Sequence, residues 1–77
     1  MKRRLPRLTA REIVQILNKK GFSLARSSGS HHIYKDAAGR RVTVSVHAGK
    51  TIHPKVLQSI LDDMDLTIEE LNRELGR

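Results

Sequence analysis

Hydrophobic and polar positions alternate most regularly at Arg41-Val42-Thr43-Val44-Ser45-Val46-His47, where three valines face one side and Thr43, Ser45 and His47 the other. That period of two predicts a strand over 41–47 in a sheet covered on one face only. Two helices show the other periodicity. Ile13, Ile16 and Leu17 form an apolar stripe that Thr9-Ala10-Arg11-Glu12 opens as a capping box. Leu8 and Ile13 are spaced as a hydrophobic staple, and Lys19-Lys20-Gly21 supplies a cationic last turn and a stop, predicting a helix over about 9–20. Val56, Leu57, Ile60, Leu61 and Met64 repeat as a second stripe behind Pro54, which suits a first helical position. Thr67-Ile68-Glu69-Glu70 is another capping box, with Leu66 and Leu71 at staple spacing, opening a short helix to about Leu75.

Between the first two helices lie shorter signals. Phe22, Leu24 and Arg26 alternate with small residues as a strand, Ser27-Ser28-Gly29 reads as a turn, and 31–36 as a second strand. Ala37-Ala38-Gly39-Arg40 is a tight connection into the valine strand. The order α-β-β-β-α-α contains no linker or repeat across 1–77. It predicts one α+β domain: a two-layer sandwich with a three-stranded antiparallel sheet, helices on one face and the other face open. The core is expected over about 9–75, behind a basic arm over 1–8 whose Arg3, Arg4 and Arg7 are free to touch a polyanion. The open sheet face is where function is expected.

Composition changes the picture in three ways. Seventy-seven residues bury only roughly 60% of their unfolded surface, which leaves room for a shallow functional face rather than a deep cleft. With no cysteine, a disulfide framework and a cysteine-based zinc site are excluded. Met1-Lys2-Arg3-Arg4 is basic like the start of a signal peptide, but Arg7, Thr9, Arg11 and Glu12 interrupt any apolar stretch, so a soluble cytoplasmic protein is expected. Charge is polarised. Residues 1–55 hold thirteen Lys and Arg against two acids, +11, and residues 56–77 hold two against six, −4. A basic face with a separate acidic segment fits a nucleic-acid binder.

Histidine supplies the candidate chemistry. Its unperturbed pKa of about 6.5 lets it give and take protons near neutral pH. Two histidines sit in Gly29-Ser30-His31-His32-Ile33-Tyr34, a third, His47, ends the valine strand, and His53 precedes Pro54. Strand alternation groups His31 with Ile33 and Lys35, and His32 with Tyr34. Burial of Ile33 would place His32 on the open face, although alternation is least dependable just after the glycine turn. Structural roles stand beside the chemical ones: His32 as a solvated strand residue, His47 bonded to the turn at Ala48-Gly49, His53 at a helix start, Gly29 and Ser30 as turn residues. A zinc site of His31, His32 and His47 is disfavoured because neighbours on a strand diverge.

The helix ending in Lys-Lys-Gly-Phe, the Gly-Ser-His-His-Ile-Tyr strand, the Val-Thr-Val-Ser-Val-His-Ala-Gly strand and the Leu-Gln-Ser-Ile-Leu helix together resemble the HicA toxin family over roughly residues 9–75. The resemblance implies a double-stranded-RNA-binding-domain-like fold and an mRNA interferase, an RNA-cleaving toxin paired with a HicB antitoxin. It implies that the histidine after the Gly-Ser pair, His31, is catalytic. Because members differ in this stretch, His32 stays an alternative or assisting group, and His47 a further assisting one. Ser45 stands where members commonly carry proline, and Thr51-Ile52-His53-Pro54-Lys55 departs from the usual pattern, so no role passes to His53.

RNA carries a 2′-hydroxyl beside each phosphate, and a histidine that removes its proton starts cleavage without metal or cofactor. Gly29, Ser30, Lys35, Arg40, Arg41, Lys50 and Lys55 are the expected RNA-binding positions, the cations neutralising phosphates. The partners implied are mRNA and an antitoxin that is itself acidic where it covers the basic face. A non-catalytic double-stranded-RNA binder is the alternative, and a protein-interaction role for the acidic last helix a third. With Phe22 and Tyr34 as the only aromatics, a base-stacking RRM is disfavoured. The intervening strands disfavour a helix-turn-helix.

Overall fold

The structure, a computed structural model, describes residues 5–47 and 49–76. The arm residues Arg3 and Arg4 therefore lie outside the described residues, as does Ala48 of the turn after His47. The element order is α1 (Ala10–Lys19), β1 (Ser23–Ser28), β2 (His31–Lys35), β3 (Arg41–Ser45), α2 (Pro54–Met64) and α3 (Ile68–Glu74). The strands form one antiparallel sheet in the order β1-β2-β3, an α+β fold as the periodicities predict. No helix among the described residues is long and apolar enough to cross a membrane.

The local signals fold as their chemistry dictates. Both capping boxes close: Glu12 N–H donates to Thr9 Oγ1 at 3.3 Å while Thr9 N–H donates to Glu12 Oε1 at 3.0 Å, and Thr67 and Glu70 repeat the exchange. The staple pair Leu8 and Ile13 is fully buried. His53 caps α2, its Nδ1 accepting from Lys55 N–H at 3.1 Å, with Pro54 at the first helical position as its missing N–H allows. Between β2 and β3 the Asp36 carboxylate accepts from Arg40 N–H at 2.7 Å, and Gly39 takes φ +88°, a conformation open to glycine.

The helix-facing side of the sheet carries Val42, Val44 and Tyr34, which meet Leu17, Leu57, Ile60 and Leu61 in one core. α2 packs against β3. Three expectations shift. Val46 and His47 lie beyond the end of β3, although Val46 still packs partly into the core. β1 runs on through Ser28, so the turn is Gly29-Ser30, and all six β1 residues are exposed. Phe22 is buried just before that strand, while a bulge between Leu24 and Arg26 breaks the alternation on this edge. Val56, on the rim of the α2 stripe, is 46% exposed and not core.

Candidate nucleic-acid site

β2 is the element on which the candidate chemistry turns. Its register sets Tyr34 opposite Val42 and His32 opposite Val44. Residues directly opposite share a face, so His32 and Tyr34 lie on the side the helices cover. It is Tyr34, at 5% exposure, and not Ile33 that enters the core. The premise that would have sent His32 to the open face is thus reversed. Valine identifies the covered face of β3, and pairing transmits that face to β2.

The two histidines are separated by this register. His31 pairs with Ser28 and Ser45 and is exposed on the outer face. That face also holds Ile33 between Arg26 and Thr43, and Lys35 opposite Arg41, a basic and solvated surface. His32 is half-buried at the sheet's helix side, where a cleft of about 560 Å³ opens. α1 contributes Thr9, Ala10, Arg11 and Val14 to this cleft, β2 contributes His32 and Tyr34, and the chain leaving β3 contributes Val46, His47 and Gly49. His32 and His47 are therefore brought together, and His31 is not. Its diverging direction also keeps the three imidazoles apart. Among the described residues no group of three His, Cys, Asp or Glu side chains is placed to hold a metal ion.

What draws α1 to the cleft is a long-range contact. Thr9 and Thr51 form an isolated antiparallel bridge, and Ile52 N–H donates to the Leu8 carbonyl at 2.6 Å. The start of α1 is thereby fixed beside the segment that follows β3. Arg11 reaches the cleft for this reason, and the sequence reading did not single it out; its one signal is its place two residues after the Thr9 cap. An anion near such a helix start meets unsatisfied N–H groups and the positive end of the helix dipole.

The remaining cations divide by surroundings. Lys50 lines a smaller hollow of about 270 Å³ with His47, His53 and Val56, so His47 stands between two concave surfaces. Lys55 is exposed in the first turn of α2. Arg40 is engaged within the fold: its guanidinium donates to the Met64 carbonyl at 3.3 Å and lies 4.0 Å from Asp36 and 3.9 Å from Asp65. Lys19 and Lys20 reach Glu74 of α3 at 3.7 and 2.8 Å. That pairing, a hydrogen bond with Lys20 before all, holds the Glu74 carboxyl below its ordinary value. Gly29 and Ser30 form the turn that starts β2, Gly29 at φ +58°.

A search of curated proteins found no match to the chain. A family profile described as the HicA toxin of bacterial toxin–antitoxin systems matches residues 10–66, which takes in α1, the whole sheet, α2 and every histidine. That span is well over half of the 77 residues and includes both walls of the cleft. The chain therefore belongs to the HicA toxin family of bacterial toxin–antitoxin systems.

Proposed function

We propose that this protein is a metal-independent endoribonuclease, an mRNA interferase with a double-stranded-RNA-binding-domain-like fold, neutralised by a HicB-type antitoxin. The observation that carries the reading is one cleft lined by two histidines and an arginine, His32, His47 and Arg11, in a chain of the HicA toxin family. Cleavage beside a 2′-hydroxyl needs a base and an acid. One imidazole removes the 2′-proton as that oxygen attacks phosphorus. The other protonates the departing 5′-oxygen, leaving a 2′,3′-cyclic phosphate and a 5′-hydroxyl end. Each group contributes about 10²–10⁴-fold. Arg11 stabilises the charge gathering on the phosphoryl oxygens, and Lys50 and Lys55 hold flanking phosphates. Arg40, tied to the end of α2, is given a structural part instead.

His31 is the second reading, favoured by its place directly after Gly29-Ser30 and by its exposure on the face that carries Lys35 and Arg41. His32 is preferred because it shares one cleft with His47. The test is cleavage of cellular RNA by purified protein with a chelator present, comparing wild type, His32→Ala and His31→Ala. Loss in His32→Ala with 5′-hydroxyl ends from the other two supports the cleft. Loss in His31→Ala alone moves the chemistry to the outer face. Intact RNA with a folded wild type favours the non-catalytic RNA-binding module. An acidic HicB-type partner is expected to suppress cleavage when added in equal amount.

A further inference from the structure

Tyr34 is a cleft residue that this chemistry leaves unused. It is the chain's one tyrosine, and there is no tryptophan. The residue is 5% exposed, yet its hydroxyl has no hydrogen-bond partner among the described residues. Among those residues no side-chain oxygen or nitrogen is both fully buried and unpartnered. The two facts agree only if Oη meets open space, and the cleft is the hollow that Tyr34 lines. A phenol both donates and accepts, and a buried one ordinarily finds a partner. Here the partner's place is left to whatever enters.

Ala10, Val14 and Val46 give the cleft an apolar lining beside Tyr34, with Thr9, Arg11, His32 and His47 as its other polar residues. A concave, largely apolar surface with a few placed polar groups is the make-up of a small-molecule site, and its volume of about 560 Å³ falls within the range of roughly 300–1,000 Å³ of such sites. A flat heterocycle with a polar edge fits it. The bases of a duplex are stacked inside and offer proteins mainly backbone and 2′-hydroxyls, whereas single-stranded bases splay out and are read along their edges. The basic charge of residues 1–55 complements the phosphates that would deliver such a base.

We propose that the cleft is a nucleobase subsite that seats one unpaired base of single-stranded RNA, the Tyr34 hydroxyl hydrogen-bonding the base's polar edge. This rests on the ribonuclease reading and adds to it that cleavage occurs beside an extruded nucleotide. Tyr34 is then a specificity-determining residue. A site built around a hydrogen bond discriminates against bases that leave its polar atom unpaired.

Tyr34 is its own probe, since it alone supplies the chain's tyrosine emission. Wild-type protein is titrated with 2′-deoxy oligonucleotides, which lack the nucleophile, as single strands and as duplexes. Anisotropy of a labelled strand reports binding, and Tyr34 emission and ring-proton shifts report the cleft. Single strands are expected to move the Tyr34 signals and duplexes to leave them unchanged at saturation. In parallel, RNA strands differing in one base at the cut are cleaved by wild type and Tyr34→Phe, which keeps the ring. Wild-type preference among bases is expected to shrink about fivefold in Tyr34→Phe, the worth of one hydrogen bond.

Equal movement of Tyr34 by duplexes, single strands that bind without moving it, or no binding of either overturns the subsite. So does movement by an acidic protein partner but not by nucleic acid. RNA cleavage with Tyr34 unmoved leaves the nuclease standing without the subsite. Tyr34 moved by single strands with RNA left intact leaves the subsite without the nuclease.

Discussion

The first turn of α1 frames the cleft, and its capping box is expected to hold both the fold and that wall. Thr9 Oγ1 accepts from Glu12 N–H, Glu12 Oε1 accepts from Thr9 N–H, and the hydroxyl also donates to Oε1 at 3.2 Å. Thr9→Ala removes the first and third bonds. Loss of a helix cap costs about 1 kcal/mol, within roughly 0.5–2. In a domain of 60–100 residues each kcal/mol lowers Tm by about 4–8 °C. Glu12→Ala removes the second and third bonds, so the two substitutions share one interaction. Their double mutant is expected to lose less than the sum, by about 0.5 kcal/mol or more as contacting residues do. Glu12→Gln keeps the acceptor and is expected to retain most of the stability. Thermal unfolding by circular dichroism reads all four variants. Losses within about 0.5 kcal/mol for both singles, the ordinary range for surface substitutions, would refute the reasoning, as would strict additivity.

Three further outcomes follow from the packing and the charges. Leu57→Ala, at a fully buried position of α2, is expected to cost about 2–5 kcal/mol, whereas Val56→Ala beside it stays within about 0.5 kcal/mol; urea unfolding compares them, and equal losses would sink the burial argument. Glu70 and Glu74 both titrate below their ordinary value of 4.5, Glu70 chiefly through the Thr67 backbone and hydroxyl and Glu74 chiefly through Lys20. Depressed carboxyl values mean stability that is present above 4.5 and lost as pH falls through the lowered native values, so Glu74→Gln is expected to flatten the acid limb of Tm against pH. Asp65 ends α2 in the left-handed region at φ 56°, so Asp65→Val is expected to cost about 1–2 kcal/mol in thermal unfolding while Asp65→Gly stays near neutral. The 3.9 Å pairing of Asp65 with Arg40 is too exposed to reverse that order.

What the sequence made legible was local. The capping boxes, the Leu8–Ile13 staple, the glycine after Lys20 and the 36–40 turn each depend on residues within a few positions of one another, and each formed. The alternation of Phe22, Leu24 and Arg26 does not describe β1, because Phe22 belongs to the chain before the strand and a bulge shifts the phase after Leu24. Val56 fell on the rim of a stripe whose width is set by how α2 sits on β3, a tertiary matter. Arg11 escaped notice because the Thr9–Thr51 bridge joins segments about forty residues apart, and no local pattern announces it.

The pair His31-His32 shows why a chemical assignment can hang on a turn. Ile33 and Tyr34 are both suited to a core, so β2 read alone does not say which of its faces is covered. β3 does, through Val42 and Val44, but that knowledge reaches β2 only through the register of the hairpin. The register is set across residues 36–40, where Asp36 N–H donates to the Arg40 carbonyl at 3.2 Å, the Asp36 carboxylate accepts from Arg40 N–H, and Gly39 takes its positive φ. A slip of one residue would exchange the two faces of β2, carrying His32 out of the cleft and His31 into it. Arg40 then has a second reason for its position: its guanidinium on the Met64 carbonyl fastens this turn to the end of α2. On the proposed reading, Arg40, one of the expected RNA-binding positions, acts from a distance instead, by helping to fix which histidine shares the cleft with His47.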